Sequence, residues 1–133
     1  MKIAMLALAA PMLMAAPAMA QTPTWVSWGT QNGETLSYDS ASVSWSKQVV
    51  TATVKAQFSP PVPTTNAQGA SVQVATMLES ISVDCAAGLY IDNRNAGYDA
   101  SGAMVVQSPT PGPAKAITPG GGAAAMQAQF CKK

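Results

Sequence analysis

Side chains that could do chemistry are few in this chain of 133 residues, and they are widely spaced. The chain has no histidine, so Ser-His-Asp and Cys-His catalytic arrangements, which need an imidazole base, are excluded. Two cysteines without any histidine also leave too few ligands for a zinc site. We therefore expect a protein that is not an enzyme, with no catalytic residues, no metal site and no cofactor.

The carboxylates do not cluster in the sequence, so an acid–base pair would have to be assembled by the fold. Asp84 with Asp92 is such a spatial pair, and the alternative is that both are solvated residues at strand ends. The segment Asp92-Asn93-Arg94-Asn95 is polar enough to bind a cation. It lacks the length and the glycine placement of a calcium loop, and it therefore predicts a tight turn.

Two further groups of residues have a binding interpretation beside a structural one. The three glycines at 120–122 precede a predicted helix, as in a phosphate-binding loop, but no Lys-Ser/Thr pair follows them, which argues against that role. Three tryptophans are a high number for a chain of this size; they are Trp25, Trp28 and Trp45. We expect them in the core, and an exposed aromatic contact surface is the alternative.

The N-terminal segment, residues 1–20, has the composition of a secretory signal peptide. Lys2 precedes a short apolar stretch, and Ala18 and Ala20 are small residues at the positions that a signal peptidase requires. The stretch is too short for a membrane span, and an uncleaved amphipathic helix is the alternative. The residue directly after the cleavage site is Gln21 and not a cysteine, so we expect no lipid anchor. No other long apolar stretch follows, so we expect no transmembrane segment. The mature domain, residues 21–133, is expected in the periplasm or outside the cell.

Charged side chains nearly balance, with seven Lys and Arg against six Asp and Glu. They are dispersed singly, without a basic stripe and without alternation of basic and aromatic residues. Nucleic acid and anionic membranes are therefore not expected as partners. The length after cleavage suits a single domain.

The two cysteines of an exported protein normally form a disulfide. Cys85 and Cys131 allow only one pairing, and closing a loop of roughly 47 residues stabilises a fold by about 4 kcal/mol in the chain-entropy model. Free thiols, a redox pair and a metal site are the alternatives, but redox pairs usually have C-x-x-C spacing. We predict a structural disulfide.

Alternation of apolar and polar residues with a period of two predicts two long strands, at residues 48–58 and 70–85. The apolar face carries Val50, Ala52, Val54, Ala56 and Phe58 in the first strand and Met77, Ile81, Val83 and Cys85 in the second. Glu79 lies on the same face, which indicates a bulge or a local edge. The proline-rich segment between the two strands, residues 59–70, predicts a long exposed connection.

Shorter alternating segments predict further strands. They lie at residues 24–30, 34–39, 41–45, 88–93 and 103–107. The dipeptide Asn32-Gly33 predicts a tight hairpin turn between the first two. A turn is also predicted at residues 99–102.

A C-terminal helix is predicted after this β pattern, with Thr118 as N-cap and Pro119 at its first position. The apolar face of this helix carries Ala123, Met126 and Phe130. A helix this short is marginal in isolation, so a bond from Cys131 to the sheet would hold it in place. The predicted fold is α+β: a curved antiparallel sheet of about six strands with the C-terminal helix packed on one face and tied by the disulfide.

Several features follow one another in a fixed order along the mature chain. They are W-V-x-W at 25–28, Y-D-S-A-S-V at 38–43, S-V-D-C at 82–85, Y-D-A-S-G-A-M-V-V at 98–106, A-I-T-P-G at 116–120, and a cysteine ending the last helix. This order resembles the bacterial surface-adhesin protein E-like family over nearly the whole mature chain. The resemblance implies a curved antiparallel sheet with the helix on its concave side and a disulfide between Cys85 and Cys131.

The function that these observations predict is binding. We expect an exported, non-enzymatic interaction module of the cell envelope or surface, with host or envelope proteins as partners. The alternative is a periplasmic structural or stress-related protein. A hydrolase using carboxylates would require a buried carboxylate pair lining a deep cleft.

Overall fold

A computed structural model of the chain describes residues 22–131; the predicted signal peptide lies outside them. These residues form one sheet of eight strands and one α-helix, and so confirm the predicted α+β class. The strands are β1 Trp25–Gln31, β2 Glu34–Asp39, β3 Ser44–Ser46, β4 Val49–Thr65, β5 Ser71–Asp84, β6 Leu89–Tyr98, β7 Met104–Ser108 and β8 Lys115–Ala116, and the helix is α1 Gly122–Phe130.

The sheet is antiparallel throughout, in the order β1-β2-β4-β5-β6-β7. Each of the short strands pairs with only a part of a longer strand. On one side of β4, β3 pairs with its first residues and β2 with residues 54–58. On the outer side of β6, β8 pairs with its start and β7 with its end. The β4–β5 hairpin is therefore the centre on which the helix packs.

The hydrophobic core lies on the face of the sheet that α1 covers. Val50 of β4 pairs with Val83 of β5, and both are fully buried. The next positions along the strands point to the other face, where the Thr51 and Ser82 hydroxyls are 2.7 Å apart. The predicted apolar faces are thus confirmed, and their buried members are Val50, Ala52, Val54, Ala56, Ile81 and Val83.

The predicted connection at residues 59–70 is wrong, because β4 continues through the prolines to Thr65 and only residues 66–70 form the turn. Pairing with β5 is interrupted between Gln57 and Val62. It then continues to Thr65, the last residue of β4, which pairs with Ser71, the first residue of β5. This part of β4 extends past the end of β2, so it has a neighbouring strand on one side only. Proline, which has no N–H to donate, is tolerated at such an edge.

The predicted hairpin at Asn32-Gly33 is confirmed, and it joins β1 to β2. Both residues have positive φ, 53° and 79°, as a two-residue turn of type I′ requires. Glycine is needed at 33 for a second reason. A Cβ there would lie 2.5 Å from the carbonyl oxygen of Ser59, so the turn can rest against β4 only without a side chain.

The helix begins later than predicted. Gly121 is the N-cap and Gly122 the first helical residue, whereas Thr118 and Pro119 lie in the preceding loop. The loop turns at Gly120, whose φ of +94° favours glycine. The predicted apolar face is confirmed, since Ala123 and Met126 are buried and Phe130 packs against the core.

Two anchors hold the C-terminal end of α1. The Cys85–Cys131 disulfide is formed, with Cα atoms 5.3 Å apart. On the other flank, the Gln129 amide donates to the Tyr38 hydroxyl at 2.7 Å and accepts from the Trp28 indole. Within residues 22–131, no helix combines the length and the apolar character needed to cross a bilayer.

Candidate functional site

A cavity of about 200 Å³ lies between the N-terminal end of α1 and the sheet. A wider groove of about 610 Å³ adjoins it along the β1–β2 hairpin. Both are lined by Glu34, Leu36 and Gly121, so the two are immediate neighbours. We call the cavity and the groove the helix-end cleft.

The inner end of the helix-end cleft contains Glu79 of β5. This residue pairs with Val54 on one side and with Asn95 on the other. Because paired residues of antiparallel strands share a face, Glu79 points to the same side as the buried Val54. The alternation of β5 therefore places a carboxylate on the apolar face, as the sequence predicts.

The bulge or local edge predicted at Glu79 is not found in β5, because its residues 76–84 pair with β4 without interruption and β6 lies on the other side. A bulge lies instead in β6. Ser80 pairs with Arg94 but Ile81 pairs with Asp92, so Asn93 is the extra residue of β6. An odd number of positions separates Asp92 from Asn95, and in a regular strand they would face opposite ways. The bulge brings both to the helix face beside Glu79. The tight turn predicted for this segment is wrong for the same reason, since a bulged strand accommodates the polar run.

Asp92 has an incomplete set of hydrogen bonds. Its Oδ2 accepts from the Asn95 amide at 3.1 Å, whereas its Oδ1 is buried and has no donor among the described residues. A buried acceptor without a donor is uncommon and energetically costly. The Asp92 side chain is not among those that line the cavity, so it acts on the cavity through its charge.

The environment raises the pKa of Glu79 from 4.5 to about 7. Burial is the largest cause, because it disfavours the charged form. The negative charges of Asp92 and then Glu34 add to the effect. Glu79 therefore changes its charge near neutral pH, where an ordinary glutamate is fully ionised.

The remaining walls of the cleft are apolar or neutral. Phe58 and Tyr90 line the cavity, and Trp28 lines the groove. Among residues 22–131, no lysine or arginine lines either part. The cleft thus combines aromatic surface with negative charge, and can accept an apolar group that carries a hydrogen-bond donor or a positive charge.

The carboxylate pair predicted from the sequence is not formed. Asp84 lies one position from Val83 and so faces away from the helix, where its side chain accepts from the backbone of Ala86 and Ala87 at 3.0 Å. Asp92 instead lies near Glu79. The sequence pattern indicated Glu79 only as an irregularity in an apolar face. Asp92 lies beside it because of the bulge in β6, which the pattern did not reveal.

The glycines at 120–122 lie at the helix start, as expected, and line the cleft. The carboxylates of Glu34 and Glu79 line the same cleft and would repel a phosphate group. Among residues 22–131, no three carboxylate or cysteine side chains come together as metal ligands. Cys85 and Cys131 are joined in the disulfide at the opposite end of the helix.

The three tryptophans differ in their environments. Trp28 stacks on Tyr38 with ring centroids 4.8 Å apart, which confirms the predicted core role. Trp25 lies under the Lys55 ammonium, 4.1 Å from the ring centroid. Trp45 is 52% exposed, so the expectation of a core position is wrong there; β3 pairs only with the first residues of β4 and leaves this side chain uncovered.

Ser44 and Lys47 have the S-x-x-K spacing found in serine acyltransferases that use a lysine. Both are exposed and lie at the β3–β4 hairpin rather than at the start of a helix. Neither residue lines the helix-end cleft. The spacing is therefore not connected with the helix-end cleft.

Comparison with known protein families, with curated proteins and with solved structures finds no match for this chain.

Proposed function

We propose that this chain is an exported, non-enzymatic binding module of the bacterial cell envelope, related to the surface-adhesin protein E-like family. The observation that carries the proposal is the helix-end cleft. It consists of a cavity of about 200 Å³ and an adjoining groove of about 610 Å³, beside a helix anchored at its far end by a disulfide. Ligand sites are typically concave, with apolar and aromatic walls and a small number of polar groups, and the cleft has these features.

Binding is favoured over hydrolysis by the walls of the helix-end cleft, most of which are apolar or aromatic. Acid–base hydrolysis needs two carboxylates that flank the same substrate bond. Asp92 does not line the cavity, so it cannot form such a pair with Glu79 there; the second carboxylate that lines the cavity is Glu34 of β2. The apolar and aromatic walls provide contact area, which suits recognition.

The disulfide supports the compartment in the proposal, because such bonds persist in oxidising environments. Fractionation of the producing cells tests it. We expect the mature protein in the periplasm or on the surface, with Gln21 as its first residue by mass spectrometry. A cytoplasmic pool that retains residues 1–20 would contradict export.

Binding is tested with a variant that fills the cleft. A Cβ at Gly121 meets no atom within 4 Å, and its φ of −106° suits any residue. Gly121→Leu should therefore fold and fill the junction between cavity and groove. Gly112→Leu is the matched control, since a Cβ there meets only one backbone oxygen, at 3.7 Å, and it lines neither part of the cleft.

The probes are outer-membrane vesicles, purified peptidoglycan and extracellular-matrix glycoproteins, each immobilised for surface plasmon resonance. We expect wild type and Gly112→Leu to bind one of them equally and Gly121→Leu to bind it at least ten-fold more weakly. Equal binding by all three proteins would remove the cleft from the function. Absence of binding to every probe would contradict the proposal as a whole.

A further inference from the structure

The two ends of α1 are held to the sheet in different ways. The C-terminal end has the disulfide of Cys131 and the hydrogen bonds of Gln129. The N-terminal end has no side-chain cap at Gly121. It is held by contacts of Gly122 and Ala123 with apolar side chains of the sheet. A local opening of the structure should therefore begin at the N-terminal end.

Glu79 lies directly below this weakly held end, because the cavity that it lines is also lined by Gly121, Gly122 and Ala123. The helix thus contributes to the burial of the carboxylate. When the helix end separates from the sheet, water reaches Glu79. The ionised form gains from that hydration, whereas the neutral form does not.

The charged groups of the described residues that act on Glu79 have the same sign. Glu34 of β2 and the phenol of Tyr90 of β6 line the cavity. The negative charge of Asp92, also in β6, acts on Glu79. The helix face of β4 presents Val54, Ala56 and Phe58, and α1 carries no charged residue. The basic residues Lys55 and Arg94 pair with Leu78 and Ser80, one position to either side of Glu79, and so lie on the opposite face.

We infer that ionisation of Glu79 releases the N-terminal end of α1 from the sheet and opens the helix-end cleft, while the disulfide keeps the C-terminal end in place. The inference rests on the proposed function only in taking this cleft as the ligand site. The partial positive charge of the helix N-terminus attracts an ionised Glu79 and opposes the release. Burial and the two neighbouring carboxylates act in the opposite sense and raise the pKa of Glu79.

Amide hydrogen exchange tests the release without any ligand. The Ala125 amide bonds to the Gly121 carbonyl at 3.1 Å and reports on the N-terminal end. The Cys131 amide bonds to the Gln127 carbonyl at 3.0 Å and reports on the C-terminal end. Protection factors, corrected for the intrinsic pH dependence of exchange, are measured at pH 5 and pH 8.5.

In the wild type we expect the Ala125 protection factor to fall at least ten-fold between pH 5 and pH 8.5, while that of Cys131 stays within three-fold. Glu79→Gln, which keeps the shape of the neutral side chain, should abolish the fall at Ala125. Glu34→Gln, the matched control, should retain most of it. A fall that persists in Glu79→Gln, or an equal fall at Cys131, would overturn the inference.

The exchange result and the binding result are independent. If no probe binds but Ala125 loses protection as described, the proposed function fails and the pH-dependent release stands. If a probe binds equally at pH 5 and pH 8.5 and Ala125 protection is constant, the release fails and the binding function stands.

Discussion

Gly122, the first residue of α1, lies so close to Val54 of β4 that a Cβ on the glycine would be 2.9 Å from the valine Cγ1. The same Cβ would lie 3.3 Å from Cδ1 of Ile81. The helix can therefore approach the sheet this closely only because residue 122 has no side chain.

Gly122→Ala should destabilise the domain. Overpacking typically costs 1–3 kcal/mol, and the better helix propensity of alanine returns up to about 1 kcal/mol, so we expect a net loss of about 1–2 kcal/mol in urea unfolding. Gly121→Ala is the matched control, because a Cβ at 121 meets nothing within 4 Å. It should stay within about 0.5 kcal/mol of wild type. Equal effects of the two substitutions would mean that the helix does not depend on this close approach.

The disulfide should supply much of the net stability. It closes a loop across 46 positions, which corresponds to about 4 kcal/mol in the chain-entropy model. Replacing both cysteines by alanine should lower the Tm by more than about 10 °C in a calorimetric scan. A loss of only a degree or two would show that the helix docks without its covalent bond. Intact-mass analysis of the oxidised wild type should detect no free thiol.

The amide of Gln129 links two aromatic residues that are distant in sequence, Trp28 and Tyr38. Gln129→Ala removes both hydrogen bonds and leaves partly buried polar groups unpaired, at an expected cost of about 1–2 kcal/mol in unfolding free energy. Gln127→Ala, on the same helix, is the control, since no side-chain hydrogen bond of Gln127 occurs among the described residues. It should cost less than about 0.5 kcal/mol. The indole fluorescence of Trp28 should change only in the first variant.

The raised pKa of Glu79 predicts a stability that falls as pH rises. The folded state holds a proton on Glu79 up to about pH 7, whereas the unfolded chain releases it near its ordinary value of about 4.3. Between these values the folded state binds more protons, so the unfolding free energy contributed by this group declines with pH. The decline is on the order of 3 kcal/mol across that window.

This pH dependence is checked by measuring the unfolding free energy of wild type and of Glu79→Gln in urea at pH 4 and pH 8. The variant should resemble wild type at pH 4 and exceed it by roughly 1–3 kcal/mol at pH 8, since glutamine cannot acquire the buried charge. A variant that is less stable than wild type at pH 8 would contradict the assignment. The carbon-13 shift of the Glu79 carboxyl, followed by NMR, should titrate with a midpoint near pH 7.

The sequence by itself determined the features that depend on neighbouring residues and on the count of cysteines. The alternation around Val50 and Val83 predicted which faces are buried, and Asn32-Gly33 predicted the first hairpin. These patterns could be read because strand periodicity and turn conformation are set within a few residues. The disulfide followed from having only two cysteines in a chain expected to be exported.

Only the tertiary structure decided where β4 ends, where α1 begins and which carboxylates meet. The prolines of β4 are tolerated because β2 stops short of them, and the helix starts at Gly122 because Val54 and Ile81 approach closely there. The neighbourhood of Glu79 and Asp92 depends on one bulged residue in β6. Each of these features is set by a neighbouring strand or helix that is remote in sequence, and therefore by packing rather than by local preference.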